Sequence, residues 1–193
     1  MIYQLDDRIQ ATAYRSRARK LIDNAVVAGI PLVCLEGGCR VAPRDQTRVL
    51  KAAAEVIDDM AEYAGKVGVR IMLEMPHVWQ VYCDEDRSRE MLSYLNSGNV
   101  GVLVDSTHWH TSHYDIDDYV RFLGDRLWHV HLRDAAGKDS PAGDYQLEKT
   151  PGRGEVDFRL LGDTLDKYGY GGHVTLETEY KNYRDIAEVD VEN

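Results

Sequence analysis

Apolar positions along this chain follow two alternating rhythms. From Asp7 to about Ala28, the residues Ile9, Tyr14, Ala18, Leu21, Ile22, Ala25 and Val26 recur at helical spacing, and Gly29 supplies the stop. Ile30–Leu35 is then a short apolar run that reads as a strand and opens onto Glu36-Gly37-Gly38. A second long helix is predicted from about Asp45 to Ala64, with Leu50, Ala53, Ile57, Ala61 and Ala64 on one face. Val69–Glu74 is the next strand. Asp84 caps a helix through Met91, Leu92 and Leu95 that ends near Gly98. Val100–Asp105 is a strand, and Asp115 begins a helix carrying Tyr119, Val120 and Leu123. Leu127–Leu132 is another strand. Arg133–Val156 is rich in Gly, Pro, Ser and Asp and reads as a long functional loop. Asp157 caps a helix through Leu161, Leu165 and Tyr168, and His173–Glu177 is the last strand. The tail from Lys181 to Asn193 is acidic and suits the first turns of one more helix. Strands alternating with amphipathic helices predict an α/β fold, with a parallel sheet and helices outside it. With no linker or low-complexity segment, residues 1–193 are expected to form a single domain.

Four strands finish in a carboxylate or a histidine: Glu74, Asp105, His131 and Glu177. Side chains alternate along a strand. Glu74 therefore shares a face with Met72, Asp105 with Leu103, His131 with His129, and Glu177 with Thr175. The opposite face carries Ile71, Leu73, Val102, Val104, Val130, Leu132, Val174 and Leu176, which suit contact with helices. In a closed (β/α) barrel the C-terminal strand ends meet at one mouth, where active sites are built. Three carboxylates and an imidazole held there would repel one another without a cation. As a ligand set they are hard and oxygen-rich, which favours Mn²⁺, Mg²⁺ or Co²⁺ over Zn²⁺.

Composition narrows the field. The chain has 193 residues, 44% hydrophobic and 29% charged, which is enough for one core. Its formal charge of −10 argues against a nucleic-acid partner. No apolar run approaches the ~20 residues of a membrane span, and the N-terminus lacks the layout of a secretory signal. Cys34, Cys39 and Cys83 show no CxxC spacing and are expected to be reduced, buried thiols in a cytoplasmic protein.

The segments IMLEMPH, GVLVDSTHWH, LWHVHLRD, TPGRGEVDF and GGHVTLETEY, in that order, resemble the sugar phosphate isomerase/epimerase family with the xylose-isomerase-like TIM barrel. The Asp-x-x-His pair and the His-x-His-x-x-Asp segment are both intact, and the resemblance covers nearly the whole chain. It implies a partial TIM-type (β/α) barrel of about five β/α units, without counterparts of the first three. It also implies that Glu74, Asp105, His131 and Glu177 bind one divalent metal, with Glu74 and Glu177 doubling as catalytic acid and base. By the same match His108 contacts substrate hydroxyls, and His129 and Arg133 lie around the mouth. His77, just past Glu74, is a further candidate for substrate binding.

The activity so implied is metal-dependent isomerisation or epimerisation of a sugar or polyol, by proton transfer next to a carbonyl. Dehydration of a cyclic polyol ketone through the same enediolate is an alternative. The same barrel hosts an endonuclease for abasic DNA, which needs more histidines and a basic groove. A sheet missing three units exposes two edges, so the chain is expected to be a fragment, or to associate with itself or a complementing subunit. His110 and His113 are expected as exposed loop histidines. Trp79 and Trp109 suit either a sugar-site wall or ordinary packing. Pro151–Phe158, with its glycines and Arg153, is expected to fold over the substrate as a mobile loop.

Overall fold

The computed structural model describes residues 3–139 and 144–177. The acidic tail predicted to start another helix lies outside the described residues. Five helices among the described residues begin where an aspartate caps them. Asp7 accepts from Gln10 N ahead of α1 (Arg8–Ala28), and Asp84 from Arg87 N ahead of α3 (Glu85–Tyr94). Asp115 and Asp157 do the same for α5 (Ile116–Leu123) and α6 (Phe158–Lys167). The remaining long helix, α2 (Gln46–Lys66), buries Leu50, Ala53, Ile57, Met60, Ala61 and Ala64 on one side. Gly29 ends α1 with φ +69°, a left-handed conformation that costs a residue with a side chain.

The strands β1 (Leu32–Leu35), β2 (Arg70–Glu74), β3 (Val100–Asp105), β4 (Leu127–Leu132) and β7 (His173–Leu176) form one parallel sheet in the order β1-β2-β3-β4-β7. Ile71, Leu73, Val102, Val104 and Val130 are fully buried on the outer face, where the helices pack. This is the open, five-stranded form of a (β/α) barrel. Val174 and Leu176 on the same outer face of β7 remain exposed.

A bulge sets the inner face. Register shifts between Val102 and Leu103, so that Val102 pairs with Leu127 but Leu103 pairs with His129. Trp128 is the extra residue. Its ring lies within 2.0 Å of where a Cβ on Gly101 would sit, and Arg70 stacks over it at 4.6 Å. The slip turns His129 and His131 to the same side as Leu103 and Asp105.

Three sequence expectations need correction. The segment expected as one long functional loop contains two strands: β5 (Asp134–Gly137) and β6 (Tyr145–Lys149) pair in antiparallel fashion. A short helix, α4 (Ser106–Ser112), follows β3 directly and carries His108 and His110. It forms because Asp105 caps it, although its residues are poor helix formers. Of the two histidines expected as exposed loop residues, His113, at its C-terminal end, is exposed, while His110 is half-buried. Cys34, expected inside, is exposed on the inner face of edge strand β1, whereas Cys83 is buried, and all three cysteines are free.

Candidate metal centre

Asp105 divides its two oxygens between two tasks. Oδ1 accepts from Thr107 N at 2.6 Å and from His108 N at 3.3 Å, which caps α4. Oδ2 is buried without a hydrogen-bond partner, 3.6 Å from Arg133 Nη2 and 4.0 Å from His131 Nδ1. Burial pushes the Asp105 carboxyl up, against the pull of the Arg133 guanidinium.

His131, at the end of β4, brings Nδ1 to 2.8 Å from Glu177 Oε2. Glu177 lies one residue past β7, tied by its backbone N to Leu132 O at 3.0 Å. The close His131 imidazole holds the Glu177 carboxyl down at about 2, although half-burial works in the other direction. Glu74 closes the group from β2. One ligand atom each from Glu74, Asp105, His131 and Glu177 all lie within 4.8 Å of one another. The structure brings the four together.

The donor set fits a divalent cation. Asp105 Oδ2 is a buried polar atom without a hydrogen-bond partner, and it converges with His131 Nδ1 and Glu177 Oε2, which are buried against each other at 2.8 Å. Three carboxylates face one buried guanidinium, Arg133, which leaves two negative charges for a dication to neutralise. Arg133 is fixed through its backbone: the Ser106 hydroxyl donates to Arg133 O at 2.6 Å and accepts from Arg133 N at 2.9 Å.

The other predicted site residues separate into two groups. His108 is fully buried, with Nε2 3.6 Å from Glu74 Oε1, and its ring stacks on His77 at 3.9 Å. Burial drives both imidazoles down to about 3, so both are neutral at pH 7. His129 stands apart from the ligand atoms, further down the inner face. Its Nε2 bonds Thr175 Oγ1 at 2.8 Å, and its ring is 5.3 Å from that of His131.

Two contributors escaped the sequence reading. Thr107 bonds Asp105 through both its amide and its hydroxyl. Asp134 is buried beside Arg133 and points away from the cluster. Its Oδ2 accepts from Gly152 N at 2.9 Å and Gly154 N at 2.8 Å, and its Oδ1 from Ala135 N at 2.8 Å and Val156 N at 3.1 Å. Its presence in the His-x-His-x-x-Asp segment was the only signal available. Pro151–Val156 is therefore anchored at its base.

Residues 3–192 match the family model described as xylose isomerase-like TIM barrel. The chain belongs to this family. It is 31% identical over 134 residues to fructoselysine 3-epimerase of Escherichia coli O157:H7, covering 67% of this chain and 46% of that protein. It is 26% identical over 142 residues to inosose isomerase of Bacillus subtilis (strain 168), covering 72% and 50%. A crystal structure of the IOLI protein with a bound zinc atom superposes with a TM-score of 0.75 at 20% identity, covering 92% of this chain and 64% of that one. The chain thus spans about half the length of the curated relatives it matches. No helix among the described residues is long and apolar enough to cross a membrane.

Proposed function

We propose that this chain carries the metal-binding half of an isomerase or epimerase acting on a sugar or polyol. The observation that carries the reading is the convergence of Glu74, Asp105, His131 and Glu177 within 4.8 Å. Together they would hold one divalent ion, with Mn²⁺ favoured by the oxygen-rich set and Mg²⁺, Co²⁺ or Zn²⁺ also accommodated. When bound there, the ion would supply Lewis-acid polarisation of a substrate carbonyl, which would make a proton on the neighbouring carbon easier to remove.

The chain's own residues supply the proton transfer. Glu74 and Glu177 belong to β2 and the end of β7, with β3 and β4 between them. A substrate carbon over β3 and β4 therefore has one carboxylate on each side. One takes the proton, and the other returns a proton to the opposite face, which inverts that carbon. Return to the neighbouring carbon, with the hydroxyl proton passing to the former carbonyl oxygen, isomerises the substrate instead. Glu177, whose carboxyl is held low by His131, is ionised at neutral pH and so free to accept a proton. His108 and His77 offer neutral nitrogens to substrate hydroxyls. Arg133 orients oxygens beside Asp105, and His129 braces the inner face through Thr175. Loss of water from the same enediolate would make the enzyme a dehydratase, and an absorbing enone product would reveal it.

The open edge strand β1 supports a second element of the reading. The chain works with a second copy of itself or with a complementing subunit, in a cytoplasm where its cysteines stay reduced. Its partner in catalysis is a small molecule, with neither nucleic acid nor membrane involved. The decisive experiment is metal content after dialysis against Mn²⁺, for the parent and for Glu177→Gln, followed by solvent-deuterium exchange into the substrate. About one equivalent in the parent and a clear loss in the variant are expected. Equal metal in both, or exchange undiminished in Glu177→Gln and Glu74→Gln, would overturn the two-glutamate scheme.

A further inference from the structure

Between Glu74 and α3 the chain is packed inward, with Met75, Val78, Gln80, Val81, Tyr82 and Cys83 all buried. Trp79 is the exception, with 46% of its surface exposed. The fold nevertheless holds it from several sides. Arg40 N donates to Trp79 O at 2.9 Å, and the Arg40 guanidinium reaches Val78 O at 3.1 Å and Asp139 at 2.8 Å. The indole Nε1 donates to the Tyr145 hydroxyl on β6 at 2.9 Å. The ring is thereby fixed between the segment after β1 and the β5–β6 hairpin.

The ring also borders the candidate centre. It lies 5.7 Å from the His77 ring and 6.4 Å, nearly perpendicular, from the His108 ring. His108 Nε2 is in turn 3.6 Å from Glu74. The indole, the His77 imidazole and the Glu74 carboxylate line one side of the centre, with the buried His108 ring packed behind them. Because the indole N–H is committed to Tyr145, the ring presents apolar surface to a ligand and no hydrogen bond. An exposed aromatic held rigid in advance binds without the ordering cost of a mobile side chain.

Resting on the sugar-or-polyol reading of the adjacent centre, we propose that Trp79 is a binding platform that selects a six-membered cyclic polyol over an open-chain one. In a ring with equatorial hydroxyls, the axial C–H bonds gather on a flat face, and the hydroxyls project from the rim. The flat face covers Trp79 while the rim meets His77, which His108 backs from the buried side. An open-chain polyol has no such face and gains little from the indole.

The test is binding to the Mn²⁺-loaded chain, by calorimetry and saturation-transfer NMR, with inosose as the ring probe and D-mannitol as the open-chain probe. Inosose should bind more tightly than mannitol, with saturation strongest on its ring C–H protons. Trp79→Ala should weaken inosose binding about tenfold, the equivalent of one modest apolar contact. It should leave mannitol binding and metal content unchanged. Trp79→Phe, which keeps an aromatic face, should retain most of the preference and guards against misfolding of the alanine variant. Inosose binding that survives Trp79→Ala, or an equal loss for both probes, overturns the platform alone. A wild-type chain that holds one metal yet binds neither probe overturns the platform together with the functional reading beneath it.

Discussion

Asp134→Asn isolates a single carboxylate that organises a whole connection. Asp134 is 1% exposed and accepts four backbone N–H bonds, two on each oxygen. An asparagine keeps one acceptor oxygen and turns the other position into a donor. Two of the four N–H groups then face an NH₂ group. A buried donor left unpaired costs roughly 1–3 kcal/mol. Some relaxation toward solvent is available at Gly152, which is exposed, so we expect a total of about 3 kcal/mol. At the ~2–4 °C per kcal/mol usual for a chain of this size, melting should fall by about 6–12 °C. No bulkier group can take over the anchor, because a Cβ on Gly154 would sit 2.2 Å from Asp134 Oδ1. Urea and thermal unfolding measure the energy, and trypsin cleavage after Arg153 measures release of the segment. Cleavage should accelerate in the variant under conditions where α1 and α2 remain intact. A variant within ~0.5 kcal/mol of the parent, with unchanged cleavage at Arg153, would refute the argument that these four bonds hold the segment.

Other outcomes follow from single contacts. Gly101→Ala drives a methyl into the Trp128 ring, 2.0 Å away, and should cost about 1–3 kcal/mol; adding Trp128→Ala should make the pair strongly non-additive in a double-mutant cycle, whereas simple additivity would deny the contact. Ser106→Ala strips both backbone partners from Arg133 and should lower the urea midpoint by the equivalent of about 2–4 kcal/mol, with weakened Mn²⁺ binding; unchanged metal affinity would show that Arg133 is positioned by other means. The metal-free chain should lose stability in acid because His77 and His108 are held down at about 3 by burial, below their ordinary 6.5. The unfolded chain takes up protons that the folded one refuses, so their contribution is whole above pH 6.5 and disappears as pH falls toward 3, at about 1.4 kcal/mol per unit for each histidine. His108→Asn should show a shallower slope of urea midpoint between pH 7 and 5, and identical slopes would remove His108 from the account.

What the sequence disclosed was whatever depends on neighbours in the chain. Asp7, Asp84, Asp115 and Asp157 each cap the helix they precede, and the capped amide lies three residues on or nearer. The inner and outer faces of β2 and β3 follow from strict alternation, and so do Glu74 and Asp105 at the strand ends. The features that stayed hidden depend on distant partners. The β5–β6 hairpin joins segments with little apolar alternation, and Gly137 takes φ +76° to meet its partner strand. The bulge at Trp128 reverses the facing of β4 below His129 by one inserted residue, which alternation cannot signal. Asp134 answers only backbone groups, so no side-chain pattern announces its role. The exposure of Cys34 depends on what lies beyond the open edge of β1, a matter of tertiary closure rather than local preference.

The strand order has a consequence for how the centre comes into being during synthesis. Glu74, Asp105 and His131 leave the ribosome on three successive strands that are neighbours in the sheet. Glu177 follows only after the hairpin and α6 have been made, on a strand whose outer face, at Val174 and Leu176, is 48% and 60% exposed. That strand is held by its ladder with β4 and by the approach of Glu177 to His131. A cation gripped by all four ligands would act as a clasp, fastening the last-made strand onto the three earlier ones. Metal capture would then report that translation has passed residue 177, and the amides of β7 would be the ones whose hydrogen exchange slows most when the ion arrives.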